Sequence, residues 1–233
     1  MSRRLISAVT IWLVACVALS AATVWDSKPF TAWTDAEVKK MLTSSPWSGM
    51  AHARHMLSNK TQALGLVTWS SARVMREAQA RQRMGAAGGA VPQHLQTMID
   101  TAPDRYVLTF RISGTGWRNG ALACRAAKMV DDTFLHRDGK PPIAAEWAEG
   151  TSFDKHGVVV WTTWSLRGCP PTSGEEPETF SVITFYFPKT DPITAMDDEV
   201  EFVTKVELPG LGSYDVKMTF TPKDMTVNGK LQL

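Results

Sequence analysis

Cysteine is scarce in this chain: three in 233 residues, Cys16, Cys124 and Cys169. Charge of one sign is missing too, with 25 basic residues against 23 acidic. Without Arg3 and Arg4, which belong to a leading segment, the two balance at 23 each. A neutral chain gives no electrostatic reason to expect nucleic acid as a partner, or an anionic membrane. No apolar run reaches the roughly 20 residues that span a bilayer comfortably. Internal repeats are absent, and so are the spaced glycines of G-x-G-x-x-G and G-x-S-x-G. The dominant phosphate-cradling and nucleophile-elbow signatures are therefore excluded.

What is present begins at the N-terminus. Arg3 and Arg4 form a short basic head, Leu5 to Leu19 is nearly all apolar, and Ser20, Ala21 and Ala22 are small. That layout predicts a signal peptide over residues 1–22, cut after Ser20 or Ala22, and a secreted or periplasmic protein. A second reading stays open. Leu13-Val14-Ala15-Cys16 resembles a lipobox, which would lipidate Cys16 and make a membrane-anchored lipoprotein. The apolar run continues past Cys16, where a lipoprotein usually turns polar. Ser2-Arg3-Arg4 also looks like the start of a twin-arginine signal, but so short a head and so apolar a core favour the general secretory route. An uncleaved anchor is the remaining alternative.

Residues 23–233 read as a single α+β domain, helix-rich over 34–132 and strand-rich over 133–233. Residues 23–33 read as an exposed lead-in. Thr34 and Glu37 form a capping box before a helix carrying Val38, Met41 and Leu42, which Pro46 stops. Leu64 to Trp69 reads as a strand, with Ser70 or Ser71 capping a helix from Ala72 to Met84 whose inner face is Val74, Met75 and Ala78. Pro92 starts a short helix to Ile99, Tyr106 to Ser113 is a strand, and Ala121 to Val130 a helix. Val158 to Leu166 and Phe180 to Phe187 are apolar runs of the central-strand kind. Strict alternation then marks Val200 to Leu208, Tyr214 to Phe220 and Met225 to Leu233. The expectation is N-terminal helices packed on one face of a largely antiparallel sheet that ends in a C-terminal meander.

Several short segments carry a resemblance. Lys28-Pro29-Phe30, Trp33-Thr34, Glu37-Val38, Met41-Leu42 and Ser45-Pro46-Trp47 resemble a segment near the mature start of a group of uncharacterised secreted bacterial proteins. Lys223-Asp224-Met225 and Gly229-Lys230-Leu231 are similar to the ends of the same proteins. The resemblance implies a shared architecture over most of the mature chain. It carries no catalytic residue and no activity across.

Candidate chemistry is thin. Gly114, Gly116 and Gly120 follow a strand, and Asp138 lies 22 residues beyond Gly116, superficially like a dinucleotide site. The glycine spacing is wrong and antiparallel β follows, so a plain turn is expected and no cofactor. His52 and His55 would share a helix face, yet no third ligand is near, so no metal is expected. Ser70 and Ser71 lack the glycines of an elbow. Asp197-Asp198-Glu199 lacks the spaced oxygens of a calcium loop. Arg73, Arg76, Arg81 and Arg83 crowd one helix, with Glu77 four residues from both Arg73 and Arg81, and offer either paired charges or an arginine patch. Trp161 and Trp164 point to opposite faces of a strand, so they form no single platform.

The sequence therefore assigns no catalytic residue and points to a non-enzymatic binding or structural module of the cell envelope. The alternative is an exported hydrolase using the dispersed His52, His136, Asp138 or Asp197. The expected partner is an envelope component or small ligand, with membrane contact only through the signal or a lipid anchor. Cys124 and Cys169 form an even pair in an oxidising compartment. A bridge would close a loop of about 45 residues and contribute about 4 kcal/mol in the chain-entropy model. Intact mass of the mature protein checks both ends of this reading. Reduction is expected to add two daltons, and the N-terminus is expected at Ala21 or Thr23; an unchanged mass on reduction removes the disulfide, and a lipid adduct on Cys16 replaces secretion with anchoring.

Overall fold

Large apolar side chains at every second position build one antiparallel sheet. The computed structural model describes residues 23–85, 89–113, 119–154, 159–162, 180–208 and 212–233. Cys16, Cys169, Trp164, Gly114 and Gly116 lie outside the described residues, as does the leading segment. The helices are α1 (Val24–Ser27), α2 (Asp35–Thr43), α3 (Arg73–Met84), α4 (Gln93–Asp100), α5 (Asn119–Cys124) and α6 (Ala126–Met129). The strands are β1 (Ser48–His55), β2 (Thr61–Trp69), β3 (Tyr106–Ser113), β4 (Phe134–Arg137), β5 (Lys140–Ala144), β6 (Trp147–Phe153), β7 (Val159–Thr162), β8 (Phe180–Phe187), β9 (Val200–Leu208) and β10 (Gly212–Phe220), with a small hairpin of β11 (Thr226–Val227) and β12 (Lys230–Leu231).

Ten strands pair in the order β5-β4-β9-β10-β1-β2-β3-β8-β6-β7. Every neighbour is antiparallel. The sheet is strongly curled. Phe202 on β9 is four strands from β3 and five from β8, which on a flat sheet is about 19 and 24 Å at ordinary strand spacing. Its ring centroid nevertheless lies 6.4 Å from Phe110, 5.6 Å from Phe185 and 6.5 Å from Phe187. These buried rings fill the concave side. Trp69 extends the cluster, meeting Phe220 at 5.2 Å and Tyr106 at 5.6 Å, both edge-on.

The α+β class and the largely antiparallel sheet stand. The single helical layer on one face does not appear as such. Helix α2 touches β1 and β2 and packs on α3, which packs on α4; α5 touches β6, β7 and β8; α6 touches β6 and β9. Gly150 on β6 is what lets α5 come so close, because a Cβ there would collide with the backbone of Ala123. The meander is shorter than expected. Strands β9 and β10 are neighbours, but β10 then pairs with β1. A 3-10 turn at Pro222–Asp224 follows β10, and the last alternating stretch is then broken by Asn228-Gly229, both residues at positive φ, which fold it into the β11–β12 hairpin.

Residues 23–33 are no exposed lead-in. They form α1 and a 3-10 turn, and Trp33 is buried. Trp25 meets Trp47 edge-on at 5.2 Å, the Trp47 indole N–H donates to the carbonyl of Gln232 at 2.7 Å, and the amide of Asn228 donates to Asp26 at 2.7 Å. The start and end of the domain are thus fastened together. The expected serine cap is also replaced. Ala72 is the N-cap of α3 and makes no side-chain cap bond. Ser71 Oγ instead accepts from the Val107 amide at 3.1 Å, and Ser70 bonds Thr109 at 3.0 Å, so both serines tie the chain to β3. The Ala121–Val130 helix is interrupted at Arg125 into α5 and α6.

The capping box of α2 is formed as expected. Thr34 Oγ1 accepts from the Glu37 amide, and Glu37 accepts from the Thr34 amide at 2.7 Å and from Lys28 at 2.8 Å. The Lys28 ammonium first, then the Thr34 amide and hydroxyl, hold the Glu37 carboxyl at about 2, well below its ordinary value. A carboxyl depressed in the folded state stabilises above its unfolded pKa and loses that contribution as pH falls toward about 2. Glu37→Gln is expected to flatten the acid limb of the stability profile between about pH 5 and pH 2, followed by circular dichroism. Phe202→Ala removes the ring on which the curl closes and is expected to cost about 3–5 kcal/mol in urea unfolding, with an unchanged profile ruling out that role.

Candidate functional site

The residues singled out as catalytic candidates do not converge. His52 lies on β1, a strand and not a helix, so His52 and His55 alternate across it and cannot chelate one ion from a shared face. His52 is exposed, opposite Lys217. His136 is exposed on β4, opposite Glu201, whose carboxylate pairs with Lys217 at 2.9 Å. Asp138 sits in the β4–β5 turn, where Gly139 takes φ +65°. Asp197 is buried in an ion pair with Lys140 at 2.6 Å and accepts from the Thr194 amide at 2.8 Å. None of the four lines the cavities described below. No cluster of three metal-ligating side chains occurs among the described residues. Cys124 is not a free thiol.

The arginine row of α3 is likewise not a patch. Arg73 pairs with Glu77 at 3.1 Å and Asp100 at 2.9 Å. Arg76 is buried and donates to the carbonyl of Ile99 at 3.1 and 2.9 Å and to that of Ser71. Burial, and then Arg73, push the Arg76 guanidinium below its ordinary pKa. Arg81 turns to Gly85 and Asp35 and not to Glu77, and Arg83 points at Met98. These side chains staple α2, α3 and α4 together.

One cavity stands apart from this structural wiring. It has a volume of about 590 Å³ and opens between α5–α6 and the β9–β10 hairpin. Leu122, Met129 and Met56 supply an apolar wall, and Arg125, Lys128, Lys205, Asp132 and Glu207 supply charge. The placement follows from local chain features. Gly150 seats α5 on β6, and Thr133 anchors the end of α6, donating to the Met129 carbonyl at 2.6 Å and bonding Thr204 of β9 at 2.7 Å. Lys205 and Glu207 are outward positions of β9, two residues apart and therefore on one face.

Its electrostatics are uneven. Arg125 pairs with Glu207 at 3.2 Å and Lys205 with Asp132 at 3.0 Å. The Asp132 bond raises the Lys205 pKa above its ordinary value, so this ammonium stays charged. Lys128, exposed on α6, has no carboxylate partner among the described residues. The lining therefore offers one uncompensated cation beside an apolar wall. Among the described residues its lining includes no histidine, cysteine or tyrosine, and Asp132 and Glu207 are already paired. Such a set can hold an anion.

The second cavity, about 510 Å³, lies between the N-terminal segment and α3. Its Arg73 and Glu77 pair with each other, its Lys28 pairs with Glu37, and its Asp26 accepts from Asn228. It is the seam where the chain ends meet. Sequence reading missed the first cavity because its residues are scattered along the chain from Met56 to Ser213, and none of them belongs to a motif. Comparison with protein families, with curated proteins and with solved structures finds no match.

Proposed function

We infer that this is an exported, non-enzymatic binding module of the cell envelope, which holds a small anionic ligand in the cavity beside α6. The observation that carries the reading is Lys128, a cation without a carboxylate partner among the described residues, set against Met56, Leu122 and Met129 in a cavity of about 590 Å³. Such a site is large enough for a ligand of drug-like size and has the mixed lining that binding sites favour. Export rests on the leading segment, with release by cleavage after Ser20 or Ala22 and tethering through Cys16 as its two forms. The relation to uncharacterised secreted bacterial proteins belongs to the same proposal. The hydrolase built on His52, His136, Asp138 and Asp197 has no support in their placement.

The test uses two probes that differ by one charge. 8-Anilinonaphthalene-1-sulfonate is an apolar monoanion, and N-phenyl-1-naphthylamine is its neutral counterpart. The sulfonate is expected to bind the full mature chain at one saturable site. Lys128→Glu is expected to weaken it about five- to tenfold, roughly 1–1.4 kcal/mol, while leaving the neutral probe unchanged. Equal binding of the sulfonate by the wild type and the variant removes the cavity from the proposal.

A further inference from the structure

The hairpin tip beside the cavity carries two apolar residues that the fold does not use. Leu57 is 90% exposed and Met56 48% exposed, in consecutive positions of the β1–β2 turn. Isolated exposed apolar residues are common and need no explanation. Here Met56 also lines the cavity, so the exposed tip adjoins its wall, where Leu122 and Met129 are themselves nearly buried.

The tip is held in place. The His55 amide donates to the Lys60 carbonyl at 2.9 Å, the Asn59 amide to the His55 carbonyl at 2.9 Å, and the Met56 amide to Ser213 of β10 at 3.0 Å. Ser58 donates its amide to His55 Nδ1 at 3.0 Å, and Asn59 takes φ +54° to close the turn. A fixed turn projects Leu57 outward with little further ordering needed.

Charge lies beside it. Lys60 is on the same hairpin and Lys128 on the cavity rim; both are exposed, and neither has a carboxylate partner among the described residues. A cation on the tip's own hairpin and a second on the cavity rim that Met56 shares match the layering of an anionic bilayer, with phosphates outside and acyl chains within. A water-soluble ligand in the cavity would leave Leu57 unused. A protein partner would need a far larger apolar area than two side chains provide.

We propose that this end of the fold docks on a membrane surface, taking the headgroup of an anionic phospholipid at Lys128 and Lys60 while Met56 and Leu57 enter the acyl layer. The inference rests on the anion-binding reading of the same cavity and names the source of the anion. It adds a route to the membrane that is independent of the leading segment.

Sedimentation of the full mature chain with vesicles tests it. Vesicles of phosphatidylcholine with about 30 mol% phosphatidylglycerol are expected to bind at least about tenfold more tightly than phosphatidylcholine alone, and to release the protein at about 0.5 M salt. Leu57→Ser and Lys128→Glu are each expected to weaken binding about fivefold or more. Met196→Ser removes an equally exposed methionine from the opposite end of the sheet and is expected to change nothing. Circular dichroism checks that each variant is folded. Binding that ignores phosphatidylglycerol, or that survives Leu57→Ser undiminished, overturns the docking. If no vesicle binds while the naphthalene sulfonate still binds through Lys128, the docking falls and the small-ligand reading stands. If the sulfonate also loses its dependence on Lys128, both fall together.

Discussion

The closing of β9 onto β3 and β8 through Phe202 is the contact on which the rest of the structure depends. Without it the ten strands would form an open twisted sheet with one apolar face in water. With it, rings from strands four and five places apart share one interior. The curl also brings β6 and β9 near enough for α6 to touch both. The cavity beside α6 is therefore a consequence of the curl, since its helical wall, α5–α6, is seated on β6 and its other wall is β9 and β10, which lie far from β6 in strand order.

Polar groups inside this frame are mostly committed to holding it. Ser48 with Thr68, Ser152 with Ser181, and Thr133 with Thr204 are buried hydroxyl pairs between chain segments. Each satisfies both groups where an unpaired hydroxyl would cost about 1–3 kcal/mol. Arg137 is buried and turns its guanidinium to Asp191, while the amide of Ile193 donates to the Tyr106 hydroxyl at 2.8 Å. Together with the Lys140–Asp197 pair, these contacts bind the segment between β8 and β9 to the sheet. The residues that looked chemically interesting in isolation, Asp197 and the α3 arginines, are largely absorbed in this way.

The sequence announces elements whose core positions are large. Val38, Met41, Phe185, Phe202 and Val216 repeat at helical or strand periods, and the capping box at Thr34 and Glu37 forms as written. Strand β1 escapes detection because its core positions are Ala51 and Ala53, too small to mark a period, while Met50 faces outward. That omission is why His52 and His55 suggest a helix face. The turn inside the C-terminal hairpin was legible in Asn228-Gly229, a strong signal for a two-residue hairpin, and the surrounding alternation masked it. The cavity was not legible at all. Its meaning lies in which charges remain unpaired, and pairing is set by the curl and not by neighbours in sequence.

The outer face of β3, β8 and β6 shows why exposure alone does not identify a site. Trp147 and Tyr186 are cross-strand partners stacked at 4.3 Å, and Arg105 lies 4.7 Å from the Trp147 ring centroid while pairing with Glu146. Phe153 and Phe180 repeat the arrangement at 4.7 Å, with Arg111 over Phe180 at 4.1 Å. Burial, and then Glu149, push the Tyr186 hydroxyl up to about 12, so it stays protonated and neutral. In each stack an aromatic ring is covered by its partner ring and by a guanidinium, and the three-layer contact is complete without a ligand. Leu57 differs in kind. Among the described large apolar side chains its exposure is matched by that of Met196, but Leu57 adjoins the rim of a charged cavity through Met56. The physical distinction is between apolar surface that the fold has already covered with its own groups and apolar surface that a rigid turn holds out to whatever lies beyond the protein.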